Sequence, residues 1–350
     1  MYIKNCWYVL AWDYEVKIGV PVQFFVINQP LVAYRTEVGD VVVLEDRCAH
    51  RLAPLSKGVC EVDTIRCMYH GLKYAPSGKC IEIPGQNKVP AALQVRKFPV
   101  VEKHSWLWVW MGEPELADEA LIPPAIGLTD QNWILRSGQL DYNANYLLIN
   151  DNLTDFSHLS FVHANSFGAS EGFARFAPKV KRLERGIRVE RWVLNPVRKE
   201  IEKPEINSLQ TAMWQSYDYL IPGILLMLTA IYPEAVMNAA AGEPPANDIQ
   251  PLRAIWSSQA VTPKTNHTTA YRFSAGPQAN APGGQAAADA FEKVMLMAFA
   301  EDKDIIESQQ AMLDLDPSRG VNLIASDSGP VQMRRVIEQA VAAETVRTAD

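Results

Sequence analysis

The sequence predicts an α+β fold in two domains: an antiparallel β domain over residues 1–116 and, over residues 117–350, an antiparallel sheet flanked by helices. Three observations predict it. Short β-branched runs separated by turn signals fill the first third of the chain. A proline-bearing stretch then breaks that pattern. Beyond it, segments with helical spacing are interleaved with further strand-like runs. A length of 350 residues suits two domains of ordinary size.

The elements follow in order. Residues 22–27, 31–34 and 41–45 read as strands, punctuated by Asn28-Gln29-Pro30 and Gly39-Asp40. Residues 105–111, SWLWVWM, close the series, and Gly112-Glu113-Pro114 ends it. Residues 117–129 carry two prolines and read as a linker. Residues 146–162 have helical spacing, and the basic run 179–188 alternates as a strand with one solvated face. Residues 187–194, 225–232 and 268–274 are strand-like, and 286–313 is a long helix. Residues 239–250 and 275–285, rich in Gly, Pro, Ala and Asn, read as surface loops or lids.

Composition excludes several classes. Hydrophobic residues make up 48% of the chain, enough to fill real cores, and with a net charge of −7 no Lys/Arg block stands out for nucleic acid. Residues 1–9 lack the apolar core and cleavage site of a signal peptide. The longest apolar stretch, 220–231, contains Pro222 and Gly223 and is too short to span a bilayer. These features predict a soluble, cytoplasmic chain. Its five cysteines, an odd number, argue against a disulfide framework and for metal binding where Cys and His cluster.

Cys48-Ala-His50 and Cys67-Met-Tyr-His70 are such clusters. Each presents a thiolate and an imidazole from one tight loop. Two thiolates on one iron and two imidazoles on the other make a [2Fe-2S] cluster of raised potential. The rival is a Cys2His2 zinc site, but zinc sites favour Cys-x-x-Cys and His-x(3–5)-His pairs. Cys6, Cys60 and Cys80 lie outside the pairs and read as small apolar residues.

At this point the chain resembles the Rieske non-haem iron oxygenases. Residues 66–86, RCMYHGLKYAPSGKCIEIPGQ, look like the cluster loop of the vanillate O-demethylase branch, which includes dicamba O-demethylase and toluenesulfonate methyl-monooxygenase. Residues 4–9, KNCWYV, and 329–338, GPVQMRRVIE, fit the same branch. The resemblance implies a Rieske domain at 1–116 and a helix-grip catalytic domain at 117–350. It implies a partner reductase that draws on NAD(P)H, O2 as co-substrate, a small aromatic substrate and a homotrimer. The reaction implied is oxygen insertion into a methyl or alkyl C–H bond, with O-demethylation foremost. N-dealkylation, aryl-methyl hydroxylation and ring dihydroxylation use the same iron. A Rieske ferredoxin is the rival of another class, yet such a carrier needs only about the first hundred residues.

The second constellation is Asn152-Leu-Thr-Asp155-Phe-Ser-His158-Leu-Ser-Phe-Val-His163. Histidines five apart stand about 140° apart on a regular helix. They can share a metal only if the helix ends or distorts between them. A catalytic Fe(II) needs two histidines and a carboxylate. Glu301, Asp302 and Asp304 of the late helix are the candidates, and the resemblance places the ligand at Asp302. It also assigns Asp155 to an electron-transfer bridge that joins His70 of one subunit to His158 of the next, which requires a ring-shaped, head-to-tail trimer. Asn152 and Phe299 are candidates for the substrate pocket. His104 and His267 match no metal pattern.

Overall fold

The computed structural model describes residues 1–164, 166–167, 169–197 and 210–347. They form two compact units. The first comprises Met1–Gly127, Thr262–Thr268 and the residues from Ala343 on; the second comprises Leu128–Val261 and Thr269–Ala342.

The first unit holds three small antiparallel sheets. Strands Trp7–Trp12 and Trp106–Trp110 are buried along their whole length and pair with Trp7 opposite Trp110 and Trp12 opposite Trp106. Burial on both faces explains why WYVLAW and WLWVW show no polar alternation. A second sheet contains Val22–Val26, Gln29–Arg35 and Val41–Glu45. The third contains Val59–Glu61, Thr64–Arg66, Lys73–Tyr74 and Cys80–Glu82, and its core gathers Cys48, Cys67 and Cys80 around Leu55, Ile65 and Tyr74.

The second unit is built on a seven-stranded sheet. Its spatial order is Arg136–Tyr142, Thr268–Pro277, Arg253–Thr265, Ile224–Pro233, Thr211–Leu220, Gly186–Leu194 and Lys179–Leu183. One face packs Trp192, Trp214 and Tyr232 with the short helix Glu234–Ala240. The other face, toward helices Tyr146–Thr154 and Gly284–Leu315, lines a cavity. No helix among the described residues is long and apolar enough to cross a membrane.

Several elements differ from the sequence reading. Residues 179–188 form a hairpin turning at Glu184-Arg185, with Lys179 opposite Glu190, where one strand was expected. The strand read at 225–232 is present as Ile224–Pro233, the outgoing arm of a hairpin with Pro222 and Gly223 at the bend. The loop expected over 275–285 narrows to 278–283, since the strand runs to Pro277 and the helix starts at Gly284. Strands Arg136–Tyr142, Thr211–Leu220 and Arg253–Thr265 were not expected, nor was the C-terminal helix Ser328–Arg347. That helix buries Met333, Val336 and Ile337, and Arg334 Nε donates to Asp151 Oδ1 at 2.8 Å. At Gly329 any Cβ would collide with the Thr154 carbonyl oxygen. The GPVQMRRVIE motif therefore braces the helix that carries Asn152.

Candidate metal centres and their cavity

The two Cys/His loops are built alike. Cys48 N donates to Ala53 O and Leu52 N to Cys48 O, both at 2.8 Å. Cys67 N donates to Leu72 O at 2.8 Å and Gly71 N to Cys67 O at 2.9 Å. In both loops the residue four after the cysteine is left-handed, Leu52 at φ 58° and Gly71 at φ 76°. Glycine takes that conformation freely; leucine takes it at a cost. The His50 and His70 rings come together with centroids 4.6 Å apart, on the exposed side. The cysteines are buried, and the Tyr74 hydroxyl lies 3.1 Å from Cys48 Sγ and accepts from Ala49 N at 3.0 Å. Arg66 holds the second loop through Nη1 to Gly71 O at 2.7 Å, and its guanidinium pairs with Glu61 and Glu82.

This donor set fits a Rieske cluster. Burial pushes the Cys67 thiol up, with the adjacent Cys48 adding to it, so a thiolate at Cys67 needs a bound cation. Burial, then His50 and Arg51, lower the His70 pKa and favour the neutral imidazole that ligates metal.

The second site begins where the helix Tyr146–Thr154 stops. Asp155 is extended at φ −129°, ψ 105°, and a short 3-10 turn, Phe156–Ser160, follows. That turn ends at Ser160, between His158 and His163, which is the condition their spacing imposes. His158, His163 and Asp302 present ligand atoms that all lie within 4.8 Å of one another. His163 Nε2 is 3.1 Å and His158 Nε2 3.5 Å from Asp302 Oδ1.

The far ring nitrogens are fixed by the chain. His158 Nδ1 lies 2.6 Å from the Asp155 carbonyl oxygen, which only accepts, so Nδ1 carries the proton and Nε2 presents its lone pair. His163 Nδ1 donates to Glu301 Oε2 at 2.8 Å, which Ser166 Oγ also reaches at 2.5 Å. Burial lowers the His158 pKa despite Asp302 and keeps the ring neutral. At His163 burial is the largest single influence and lowers the pKa, but Asp302 and Glu301 together outweigh it and raise it. Two imidazoles and a carboxylate around one point suit Fe(II) with open positions.

The other sequence candidates are also located. Asn152 Nδ2 donates to Asp302 Oδ1 at 3.0 Å and is 3.4 Å from His158 Nε2, so it stands at the metal group itself. Phe299 packs on Phe273 at 4.6 Å and on Tyr271 at 5.3 Å, and lines the cavity. Of the rival carboxylates, Asp304 is exposed and Glu301 holds His163. Asp155 reaches His158 through its backbone; its carboxylate instead accepts from Ser157 N and Oγ at 2.8 and 2.9 Å.

A cavity of about 460 Å³ opens on Asn152, His158, His163 and Asp302. Its roof is one face of the long helix, at Phe291, Met295, Phe299 and Asp302. Its floor is alternate residues of the sheet, in rows set by register: Met213, Ile231 and Arg253; then Gln215, Thr229 and Ile255; then Met227 and Ser257, with Tyr217 beside Met227. The third row lies at the metal end, where Tyr217 Oη donates to Thr154 O at 3.3 Å and the Phe156 ring sits 4.7 Å from Tyr217. Sequence reasoning missed this floor, because its polar members look like solvated positions.

Such a fold, with a Cys/His loop pair in one unit and a His/His/Asp group in the other, defines an iron-dependent oxygenase. Residues 6–99 match the Rieske [2Fe-2S] domain and residues 142–343 the vanillate O-demethylase oxygenase C-terminal domain. The chain belongs to the Rieske non-haem iron oxygenases of the vanillate O-demethylase branch, as the oxygenase component of a monooxygenase that works with a reductase and O2. The iron–sulfur subunit of the toluene-4-sulfonate monooxygenase system of Comamonas testosteroni is 35% identical, over the full length of both chains. A vanillate O-demethylase oxygenase subunit of a Pseudomonas strain is 30% identical, covering 98% of this chain and 96% of that one. The crystal structure of dicamba monooxygenase bound to 3,6-dichlorosalicylic acid superposes with a TM-score of 0.83 at 26% identity, over 98% of this chain and 99% of the other.

Proposed function

We propose that this chain oxidises a methyl group carried by a small aromatic molecule, and that the reaction is oxidative O-demethylation. The observation that carries this reading is the apolar cavity of about 460 Å³ that opens directly on the His158/His163/Asp302 group, a volume suited to one small ligand. Cys48, His50, Cys67 and His70 would hold the cluster, and His158, His163 and Asp302 the Fe(II). When bound, the two groups together supply electron delivery and O2 activation.

The chain's own residues do the rest. The Asp155 carbonyl and Glu301 orient the two imidazoles, and Asn152 steadies Asp302 by hydrogen bonding. Phe299, Phe291 and Met295 exclude water and stack against the ring. Oxygen insertion into an aryl methyl ether leaves a hemiacetal, which collapses to a phenol and formaldehyde. The second oxygen atom leaves as water, with two electrons from NAD(P)H through the reductase. A second reading, hydroxylation of an aryl methyl group to a benzylic alcohol, is favoured by the full-length similarity to the toluene-4-sulfonate system.

The working assembly is a cytoplasmic, head-to-tail trimer, with the Asp155 carboxylate facing the partner subunit's His70. The exposure of the His50 and His70 rings supports this, as does a carboxylate whose hydrogen bonds among the described residues come from Ser157. Substrate-dependent O2 uptake with a reductase tests the reaction. Formaldehyde release marks O-demethylation, a benzylic alcohol marks the second reading, and uptake with neither product overturns both. Asp302→Ala should lose the mononuclear iron and keep the visible spectrum of the cluster. Iron retained in Asp302→Ala and lost in Asp304→Ala would move the ligand.

A further inference from the structure

Polar groups at the metal end of the cavity floor are satisfied. Tyr271 Oη donates to Gln259 Oε1 at 2.7 Å, and Gln259 Nε2 to Ser257 Oγ at 3.0 Å. Two groups toward the other end are not. Gln215 is 4% exposed, its Nε2 lies 3.7 Å from Met227 Sδ, and its Oε1 is buried with no hydrogen-bond partner among the described residues. Leaving such an acceptor unpaired is costly unless a ligand satisfies it. Arg253 is the one Lys or Arg among the described residues that line the cavity, and no described residue pairs with its guanidinium. It is exposed, so it stands at the mouth.

The register sets the distance between the two ends. Arg253 is opposite Ile231 and Ser257 opposite Met227, four residues apart on one strand. At about 3.3 Å per residue that is roughly 13 Å. An aromatic ring with a substituent at each end, met by an extended arginine side chain, spans such a gap. Gln215 lies in the row between.

We propose that Arg253 and Gln215 set the substrate specificity of this enzyme. Arg253 takes an anionic substituent, carboxylate or sulfonate, on the side of the ring remote from the oxidised methyl. Gln215 Oε1 accepts from a hydroxyl or N–H on the ring between the two. The guanidinium fork matches the planar carboxylate and two sulfonate oxygens. An anion adjacent to the methyl-bearing atom would fall in the row of Tyr217, Met227 and Ser257, out of reach of Arg253. The assignment rests on the cavity being the site of methyl oxidation.

The test is calorimetric binding to the metal-loaded enzyme, with turnover measured separately. The probes are 4-methoxybenzoate and 4-methylbenzenesulfonate, neutral 4-methoxybenzamide, ortho-substituted 2-methoxybenzoate and cationic 4-methoxybenzylamine. The wild type should bind the para anions at least about tenfold tighter than the amide or the ortho acid, as a charge-assisted hydrogen bond provides. Arg253→Ala should erase that ratio, and Arg253→Glu should turn it toward the benzylamine. Gln215→Leu should weaken 3-hydroxy-4-methoxybenzoate and leave 4-methoxybenzoate unchanged. An anion-to-amide ratio that survives Arg253→Ala, or equal binding of the ortho and para acids, overturns the proposal while oxidation of the amide's methyl leaves the reaction standing. If no aryl methyl is oxidised, the reaction falls, and the binding ratios still decide Arg253.

Discussion

Replacing Glu301 with Gln tests how the chain prepares its metal site. The substitution keeps size and an acceptor oxygen but removes the charge that His163 Nδ1 and Ser166 Oγ reach at 2.8 and 2.5 Å. His163 is 1% exposed, so solvent cannot replace the lost partner. Glu301 is one of two carboxylates that raise the basicity of this ring against burial. Losing it makes His163 a weaker donor and lets the ring turn. Partners of this kind are worth about 10- to 100-fold in metal affinity, or roughly 1.4–2.7 kcal/mol. The assay is Co(II) or Fe(II) affinity by chelator competition on protein stripped of mononuclear metal, with the cluster absorbance as an internal control. The expected result is weaker metal binding by that factor with an unchanged cluster spectrum. Glu301→Ala should be worse, because it also strands Nδ1–H. Wild-type affinity in both variants would refute the reasoning and reduce Glu301 to a solvated helix residue.

Three further outcomes are expected. Asp155→Asn should keep its cluster, its mononuclear iron and the wild-type oligomeric state, yet reoxidise the cluster slowly in single-turnover experiments with substrate and O2; wild-type reoxidation would remove the proposed bridging role. Gly329→Ala forces a methyl against the Thr154 carbonyl and should destabilise the second unit by about 1–3 kcal/mol in denaturant titration, as overpacking does; an unchanged midpoint would show that the C-terminal helix yields freely. Glu61 is held by Arg66 and Lys73 at a pKa of about 2, below its ordinary 4.5. A depressed carboxylate stabilises the fold above its unfolded pKa and loses that contribution as pH falls through the folded one. The stability gap between wild type and Glu61→Gln should therefore be full at pH 7 and narrow below about 4.5. A gap independent of pH would mean that Glu61 acts through packing.

What the sequence made legible was chemistry with a fixed local spacing. Each Cys/His pair lies within one tight loop, so three or four residues specify it. The helical reading of residues 146–162 already carried its own correction. Two histidines at that spacing demand a break between them, and the end of the 3-10 turn at Ser160 supplies it. Glu301 was visible only as a rival to Asp302, because its contact with His163 joins residues 138 apart in the chain.

The sheet shows why the remainder was hidden. An antiparallel strand with one buried face announces itself by alternation, and Thr211–Leu220 reads TAMWQSYDYL, with Gln215 at an inward position. Arg253–Thr265 likewise places Arg253, Ser257 and Gln259 on the cavity face. Inward polar residues erase the period-2 signal that marks a strand. They are tolerated because the face they line is a ligand cavity and not a packed core. Two of the strands that the sequence concealed, Thr211–Leu220 and Arg253–Thr265, are therefore the ones to which specificity is assigned. The strand Ile224–Pro233 lies between them in the sheet and lines the same cavity, but with Met227, Thr229 and Ile231, and it stayed recognisable. By the same reasoning, the polar residues that broke the pattern, Gln215 and Arg253, are where substrate choice should be sought among related chains of this fold.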